Sequence, residues 1–165
     1  MRLATLVVLS TALAGSVIPS GAAHAANVTA DPAQIAKVMR DAGYKAEIVR
    51  SEGEDPFIKS ASNGQVFVVV FYGCRKGADC KTVQFYSGFT LDAKPVDLER
   101  INEWNANNRF GRAYRDDEGD VAIEMDVDLE DGGMSEELFK DNLEYWDAIS
   151  GEFSASVFDW EPAAR

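Results

Sequence analysis

The chain has 165 residues, with 28 acidic and 16 basic side chains, so its formal net charge at pH 7 is −12. This charge excludes nucleic acid as an expected partner and disfavours anionic membrane surfaces, because both repel an acidic protein. Basic protein segments and divalent cations remain compatible with the charge, and the length suits one domain with a sizeable core.

The start of the chain has the pattern of a secretory signal peptide. Arg2 precedes an uncharged, mostly apolar stretch, and small residues surround the expected cleavage site after Ala25. The apolar stretch is too short to span a membrane, and no cysteine near the cut could carry a lipid. We therefore expect a signal peptide over residues 1–25 and one exported domain over residues 26–165, located in the periplasm without a membrane anchor.

Cleavage would remove the only histidine, His24, and the loss of Arg2 would change the net charge from −12 to −13. The remaining domain would have no histidine general base, no Ser-His-Asp or Cys-His arrangement and no histidine-ligated zinc. The sequence also contains no glycine-rich phosphate loop and no nucleophile elbow. We therefore expect neither an enzyme nor a bound cofactor.

The exported part begins with a predicted amphipathic helix. Asp31 followed by Pro32 is typical of a helix start, and Gly43 is typical of a helix end. Ile35 and Met39 fall on one face of this helix at a spacing of four residues.

Several β-strands are predicted to follow the first helix. Short strands are expected at residues 46–50 and 57–61, and Asn63-Gly64 is a strong hairpin signal. The run QVFVVVFYG at residues 65–73 is apolar at successive positions. We therefore expect a central strand that is covered on both faces.

The two cysteines, Cys74 and Cys80, lie between this strand and a returning strand at residues 81–91. In an exported protein two thiols this close are expected to form a disulfide, which would stabilise the hairpin loop by about 2 kcal/mol. Zinc would need further ligands, and thioredoxin-like redox sites have two intervening residues rather than five. A labile or regulatory disulfide is the alternative.

A second helix, rich in asparagine, is predicted after the strands. Its expected stripe consists of Leu98, Ile101, Asn105 and Asn108, with Trp104 beside it. Asparagine is a poor helix former, so its abundance indicates a constraint. Either the amides satisfy buried backbone groups where the helix leads to the next strand, or they line a groove for a partner. The candidate partner-binding residues are Trp104, Asn105, Asn108 and Arg109.

An acidic β-hairpin and a last helix complete the pattern. The second hairpin strand alternates, with Glu124, Asp126, Asp128 and Glu130 on a face expected to be solvated. Asp126, Asp128 and Glu130 are weak candidates for Ca²⁺ ligands, because an EF-hand alignment would place Asp131 where glycine is required.

The last helix, capped by Ser135, has an apolar stripe at spacings of three and four residues: Phe139, Leu143, Trp146, Ile149, Phe153 and Val157.

The predicted order is α-β-β-β-β-α-β-β-α, an α+β fold in which helices pack on an antiparallel sheet. The segments FYGC with its second cysteine, INEWNANNRF and MDVDLEDGG resemble the YbjN family, and the resemblance covers nearly all of residues 26–165. The family is described as sensory transduction regulators of bacteria. The resemblance implies a fold similar to type III secretion chaperones and no established catalytic residues.

We therefore expect an exported, non-enzymatic binding, chaperone-like or regulatory domain that binds a protein or peptide segment and forms a homodimer. Many YbjN relatives lack an export signal, so a cytoplasmic role is not transferred to this chain. Two alternatives remain: a Ca²⁺ sensor that uses the acidic hairpin, and a carbohydrate-acting enzyme that uses paired carboxyl groups.

Overall fold

The structure of the protein is a computed structural model that describes residues 27–90 and 96–159. The predicted signal peptide at residues 1–25, with His24, lies outside the described residues. Among the described helices, none combines the length and apolar character that a membrane crossing needs.

The described residues form three α-helices and six β-strands. In chain order they are α1 (Pro32–Asp41), β1 (Glu47–Val49), β2 (Phe57–Ser62), β3 (Gln65–Tyr72), β4 (Thr82–Phe89), α2 (Leu98–Asn107), β5 (Arg112–Arg115), β6 (Val121–Asp128) and α3 (Glu136–Asp159). A 3₁₀ turn, Glu130–Gly132, connects β6 to α3. The predicted α+β class and element order are confirmed.

Local signals explain where several of these elements begin and turn. Asp31 caps α1 by accepting a hydrogen bond from the backbone nitrogen of Gln34 at 2.8 Å. Asn63 and Gly64 have φ values of 49° and 78°, the left-handed geometry of a two-residue hairpin turn. The Asn63 amide also donates to the backbone oxygen of Asp147 at 3.0 Å, which ties the turn to α3.

The strands form one antiparallel sheet in the order β1-β2-β3-β4-β6-β5. On one side of the sheet, a row of buried apolar residues runs across four strands: Ile58, Val69, Phe85 and Met125. Helix α3 covers this side with its whole predicted stripe, which is buried throughout. Trp146 packs its ring 5.7 Å from the rings of Phe67 and Phe85, so the core lies between α3 and the sheet.

Helices α1 and α2 complete the same core. Ile35 and Met39 of α1 are fully buried, as their spacing predicts. Trp104 of α2 packs edge-on against Phe153 of α3, with ring centres 5.0 Å apart. Of the predicted stripe of α2, Ile101 is buried, whereas Leu98, the first residue of the helix, is 55% exposed.

The prediction that β3 is covered on both faces is also wrong. Phe67, Val69 and Phe71 are buried under the helices, whereas Val66 is 56% and Tyr72 45% exposed on the other side of the sheet. The apolar run predicts a strand buried on two sides, but the described helices pack against one side only. One side of an antiparallel sheet can face water, although it is then usually polar.

The prediction of a fully solvated acidic face on β6 is wrong for Glu124. This residue is only 4% exposed, because Arg112 on the neighbouring strand β5 lies opposite it and forms an ion pair with its carboxylate. Asp126 and Asp128 are exposed, as expected.

Candidate functional site

The surface that stands out is the side of the sheet opposite the helices, which we call the open face. Its centre is the β3 row, formed by Val66, Val68, Val70 and Tyr72, and it continues over the cross-strand neighbours of this row on β2, β4 and β6. Val66 and Tyr72 are exposed, and Val68 and Val70 are partly exposed. An apolar row on a sheet face that none of the described helices covers is typical of a contact surface.

Hydrogen bonds fix the side chains between the β3 row and β6. The Tyr72 hydroxyl donates to Gln84 Oε1 at 3.1 Å, and Gln84 Nε2 donates to Asp126 Oδ1 at 2.9 Å. Asp128 accepts a hydrogen bond from the backbone nitrogen of Glu130 at 2.9 Å. Among the described residues no lysine or arginine forms an ion pair with Asp126 or Asp128. Two exposed carboxylates therefore border the apolar row along one side.

A depression of about 350 Å³ lies at the end of the open face near the β5–β6 turn. Val66, Val68 and Tyr86 contribute to its walls, and Asp116 and Asp120 lie at its edge. Asp116 accepts a hydrogen bond from the backbone nitrogen of Asp120 at 2.8 Å, and the Thr90 hydroxyl donates to the Asp120 carboxylate at 2.9 Å. The carboxylates at this end are thus held in place by the turn.

The shape of this depression depends on Tyr86. A β-carbon added at Gly88 would lie 2.8 Å from the Tyr86 hydroxyl, so the phenol occupies space that only glycine leaves open. Burial, then Tyr114 and the carboxylates of Asp116 and Asp120, raise the pKa of Tyr86 above its ordinary value. The two carboxylates, Asp116 and Asp120, place negative charge at this end of the open face.

The predicted disulfide is present between Cys74 and Cys80. It closes the connection between β3 and β4, and both residues pack against the core. Inside the loop, Arg75 and Ala78 exchange backbone hydrogen bonds of 2.6 and 3.2 Å, which form a tight turn. The bond therefore holds the ends of two central strands together, and its predicted structural role is consistent with this position.

The predicted partner-binding residues on α2 have identifiable internal contacts. Trp104 is only 6% exposed, and Asn108 Nδ2 donates to its backbone oxygen at 3.0 Å. The guanidinium of Arg109 lies 4.8 Å from the centre of the Phe110 ring. Binding of a partner by these residues stays a prediction.

The Asn105 side chain forms hydrogen bonds with the backbone of the edge strand β5. Its Oδ1 accepts from the backbone nitrogen of Ala113 at 2.9 Å, and its Nδ2 donates to the backbone oxygen of Ala113 at 3.0 Å. Ala113 lies on β5, the outer strand of the sheet, which has β6 as its strand neighbour on one side. The amide therefore occupies the position of a further strand, and it satisfies backbone groups where α2 leads into β5, as one interpretation of this helix predicts.

We expect Asn105→Ala to lower the free energy of unfolding by about 1–2 kcal/mol, because both backbone groups of Ala113 lose their partner. The free edge should also increase self-association at high concentration. Urea unfolding and light scattering measure the two effects. The control is Asn107→Ala, because the Asn107 side chain donates to the Glu103 backbone oxygen within its own helix and not to the sheet edge. Equal stability losses in both variants would contradict this account.

The acidic residues considered as Ca²⁺ ligands bond to other side chains and do not converge on one site. Asp126 bonds to Gln84, while Glu130 lies in the turn after β6 and forms an ion pair with Lys81. In the part of the chain that the structure describes, no group of three or more histidine, cysteine, aspartate or glutamate side chains could hold a metal ion. The Ca²⁺ hypothesis thus receives no support from the arrangement of these residues.

The order of elements, the cysteine hairpin and the asparagine-rich helix are the features on which the family resemblance depends. A model of the YbjN family, described as "Putative bacterial sensory transduction regulator", matches residues 31–158. The chain belongs to the YbjN family. No curated protein and no solved structure matches it. The family description supports a regulatory or binding role at a general level, and the similarity to type III secretion chaperones stays a prediction.

Sequence reasoning missed the open face of this YbjN domain, although one signal for it was available. In QVFVVVFYG both alternating sets of positions are apolar, so covering one set leaves Val66, Val68 and Val70 outside. A second missed feature is Phe110, which is 52% exposed at φ 70° and stacks on Tyr145 at 4.5 Å. A β-carbon added at the neighbouring Gly111 would lie 2.8 Å from Ile149 Cδ1, so a larger residue at that position would clash with the α3 side chain.

Proposed function

We propose that this YbjN domain is a non-enzymatic regulatory domain that binds a segment of a partner protein on its open face. The observation that carries the proposal is the β3 row. On a water-facing side of an antiparallel sheet the outward residues are usually polar, as Asp126 and Asp128 are on β6. The β3 row instead presents three valines and a tyrosine.

The core does not account for these outward apolar residues. Helix α3 packs against Phe67 and Phe85 on the opposite side, so the β3 row contributes little to the contacts of the helices. Its stabilisation would come from covering it with another surface, at about 25 cal/mol per Å² of apolar area removed from water. Binding of a protein segment supplies such a cover, and it agrees with the regulatory description of the family.

Location is the second part of the proposal. The signal pattern of residues 1–25 would bring the domain to an oxidising compartment, where the disulfide between Cys74 and Cys80 is stable. The partner would then be another exported protein or the exported part of a membrane protein.

A selection from a random peptide display library tests the binding function. We expect the protein to enrich peptides with apolar residues, and their affinities can be measured by fluorescence anisotropy. The triple variant Val66→Thr/Val68→Thr/Val70→Thr keeps the shape and β-propensity of the row but replaces one methyl group of each valine with a hydroxyl. It should weaken binding by roughly 30-fold or more, from the apolar surface lost at three positions.

The matched control is Leu138→Gln, because Leu138 is also an exposed apolar residue but lies on α3. This variant should bind the selected peptides with an affinity within about twofold of the unchanged protein, as expected for a residue outside the interface. Thermal melting verifies that both variants fold. The proposal is wrong if no peptide is enriched, or if the threonine variant binds as tightly as the unchanged protein.

A further inference from the structure

We infer that the segment bound on the open face is a basic amphipathic helix, with its apolar stripe on the β3 row and lysine or arginine residues along the border of the stripe. This inference rests on the proposed function and adds the chemistry of the partner. It follows from the distribution of charge around the row and from the dimensions of the sheet.

On the open face, the basic groups have acidic neighbours, but some of the acidic groups have no basic partner. Arg112 is paired with Glu124, and Lys59 lies opposite Glu47 in the strand register, so each of these cations faces an acid. Asp126 and Asp128 have no cationic partner among the described residues. The open face therefore has an excess of negative charge on its β6 side, which favours a cationic partner.

Further negative charge lies at one end of the β3 row. The depression that continues the row from Val66 and Val68 has Asp116 and Asp120 at its edge. Their carboxylates are held by the turn and by Thr90, so they do not have to be ordered when a cation arrives. The open face is thus an apolar surface with fixed carboxylates along one side and at one end. It is complementary to a helix whose apolar stripe is bordered by basic residues.

The spacing of the strands suits a helix. Neighbouring strands are about 4.8 Å apart, so β6 lies roughly 10 Å from β3, with β4 between them. A helix with its side chains is about 10 Å wide. A helix centred between β3 and β4 would contact the β3 row and have one border near β6, from which long basic side chains can reach Asp126 and Asp128. The net charge, −12 for the whole chain and −13 without the signal peptide, would speed the encounter with such a segment.

Three synthetic helical peptides test this inference. They share leucines at i, i+3, i+4 and i+7 and carry lysine, glutamine or glutamate at the border positions. In anisotropy titrations at low salt, the lysine peptide should bind about tenfold tighter than the glutamine peptide, as two favourable charge pairs predict. The glutamate peptide should bind most weakly, and high salt should reduce the difference.

The charge variant is Asp126→Asn/Asp128→Asn, because asparagine keeps the oxygens that accept from Gln84 and from the Glu130 backbone. It should remove most of the advantage of the lysine peptide and leave the glutamine peptide unaffected. The control Glu99→Gln/Glu103→Gln changes the net charge equally, but these exposed residues lie on α2. It should change the affinity by less than about twofold, as expected of charges outside the interface.

The possible outcomes separate the inference from the proposed function. If the lysine and glutamine peptides bind equally and both lose affinity in the threonine variant, the basic character of the partner is wrong while the binding face stands. If the control pair weakens the lysine peptide as much as the Asp126/Asp128 pair does, attraction to the whole acidic protein explains the preference and the inference fails. If none of the three peptides responds to the threonine variant, the open face is not the site.

Discussion

Replacement of Trp146 by alanine is expected to lower the free energy of unfolding by about 3–5 kcal/mol, the range for a large aromatic residue removed from a core. Trp146 is fully buried, and its ring packs against Phe67 on β3 and Phe85 on β4. Its loss would leave a cavity between α3 and the two central strands, where little can collapse to fill it. Guanidinium unfolding followed by circular dichroism measures the loss.

Two further variants sharpen this prediction. Within the described residues the Trp146 indole nitrogen has no hydrogen-bond partner, so the residue stabilises the fold by packing alone. Trp146→Phe should therefore cost clearly less than Trp146→Ala. The neighbouring Tyr145 is 47% exposed, so Tyr145→Ala should cost only about 1 kcal/mol, mostly from its stacking on Phe110. A loss at Tyr145 as large as that at Trp146 would show that the core is placed incorrectly.

Gly133→Ala is expected to cost about 3 kcal/mol, because a close approach and a left-handed backbone coincide at this residue. A β-carbon at Gly133 would lie 2.0 Å from the backbone oxygen of Val28, and its φ is 74°. That oxygen accepts a hydrogen bond from Met134 at 3.0 Å, and the Val28 nitrogen donates to Met134 at 2.7 Å. The variant would separate these backbones and displace the buried Val28 side chain from the core.

Gly132→Ala is the matched control for this position. Gly132 also has a positive φ, 106°, but nothing lies within 4 Å of the position that its β-carbon would take. It should therefore cost only the backbone strain, about 1–2 kcal/mol. Urea midpoints for both variants decide the question. Similar midpoints would mean that the contact between Val28 and Gly133 is unimportant, and hydrogen exchange at Val28 and Met134 would then remain slow in both proteins.

The parts of the fold that depend on neighbours in sequence could be predicted from the sequence. The Asp31 cap, the Asn63-Gly64 turn and the stripe of α3 are local patterns, and each is present where it was expected. The closure of the hairpin by Cys74 and Cys80 followed from their spacing between two strands. These features need no information about which side of the sheet the helices cover.

The parts that depend on long-range packing could not be predicted. A strand with apolar residues on both sides is compatible with one cover or two, so the sequence of β3 did not reveal the open face. Alternation placed Glu124 on the outward side of β6, but only the pairing of β5 with β6 shows that Arg112 covers it. The edge contact of Asn105 likewise required the position of Ala113 at the outer strand. The candidate site is thus a product of the tertiary arrangement.

The central claim is that the open face binds a segment of another protein, and site-specific photo-cross-linking tests it most directly. A benzophenone amino acid is placed at position 66 in one variant and at position 138 in a second, since Val66 and Leu138 are similarly exposed. We expect the lysine-bordered peptide to cross-link to position 66 and not to position 138. Equal cross-linking at both positions would contradict the claim. So would capture at position 66 of a second copy of the chain, or of the chain's own residues 1–26 or 160–165, in place of the peptide.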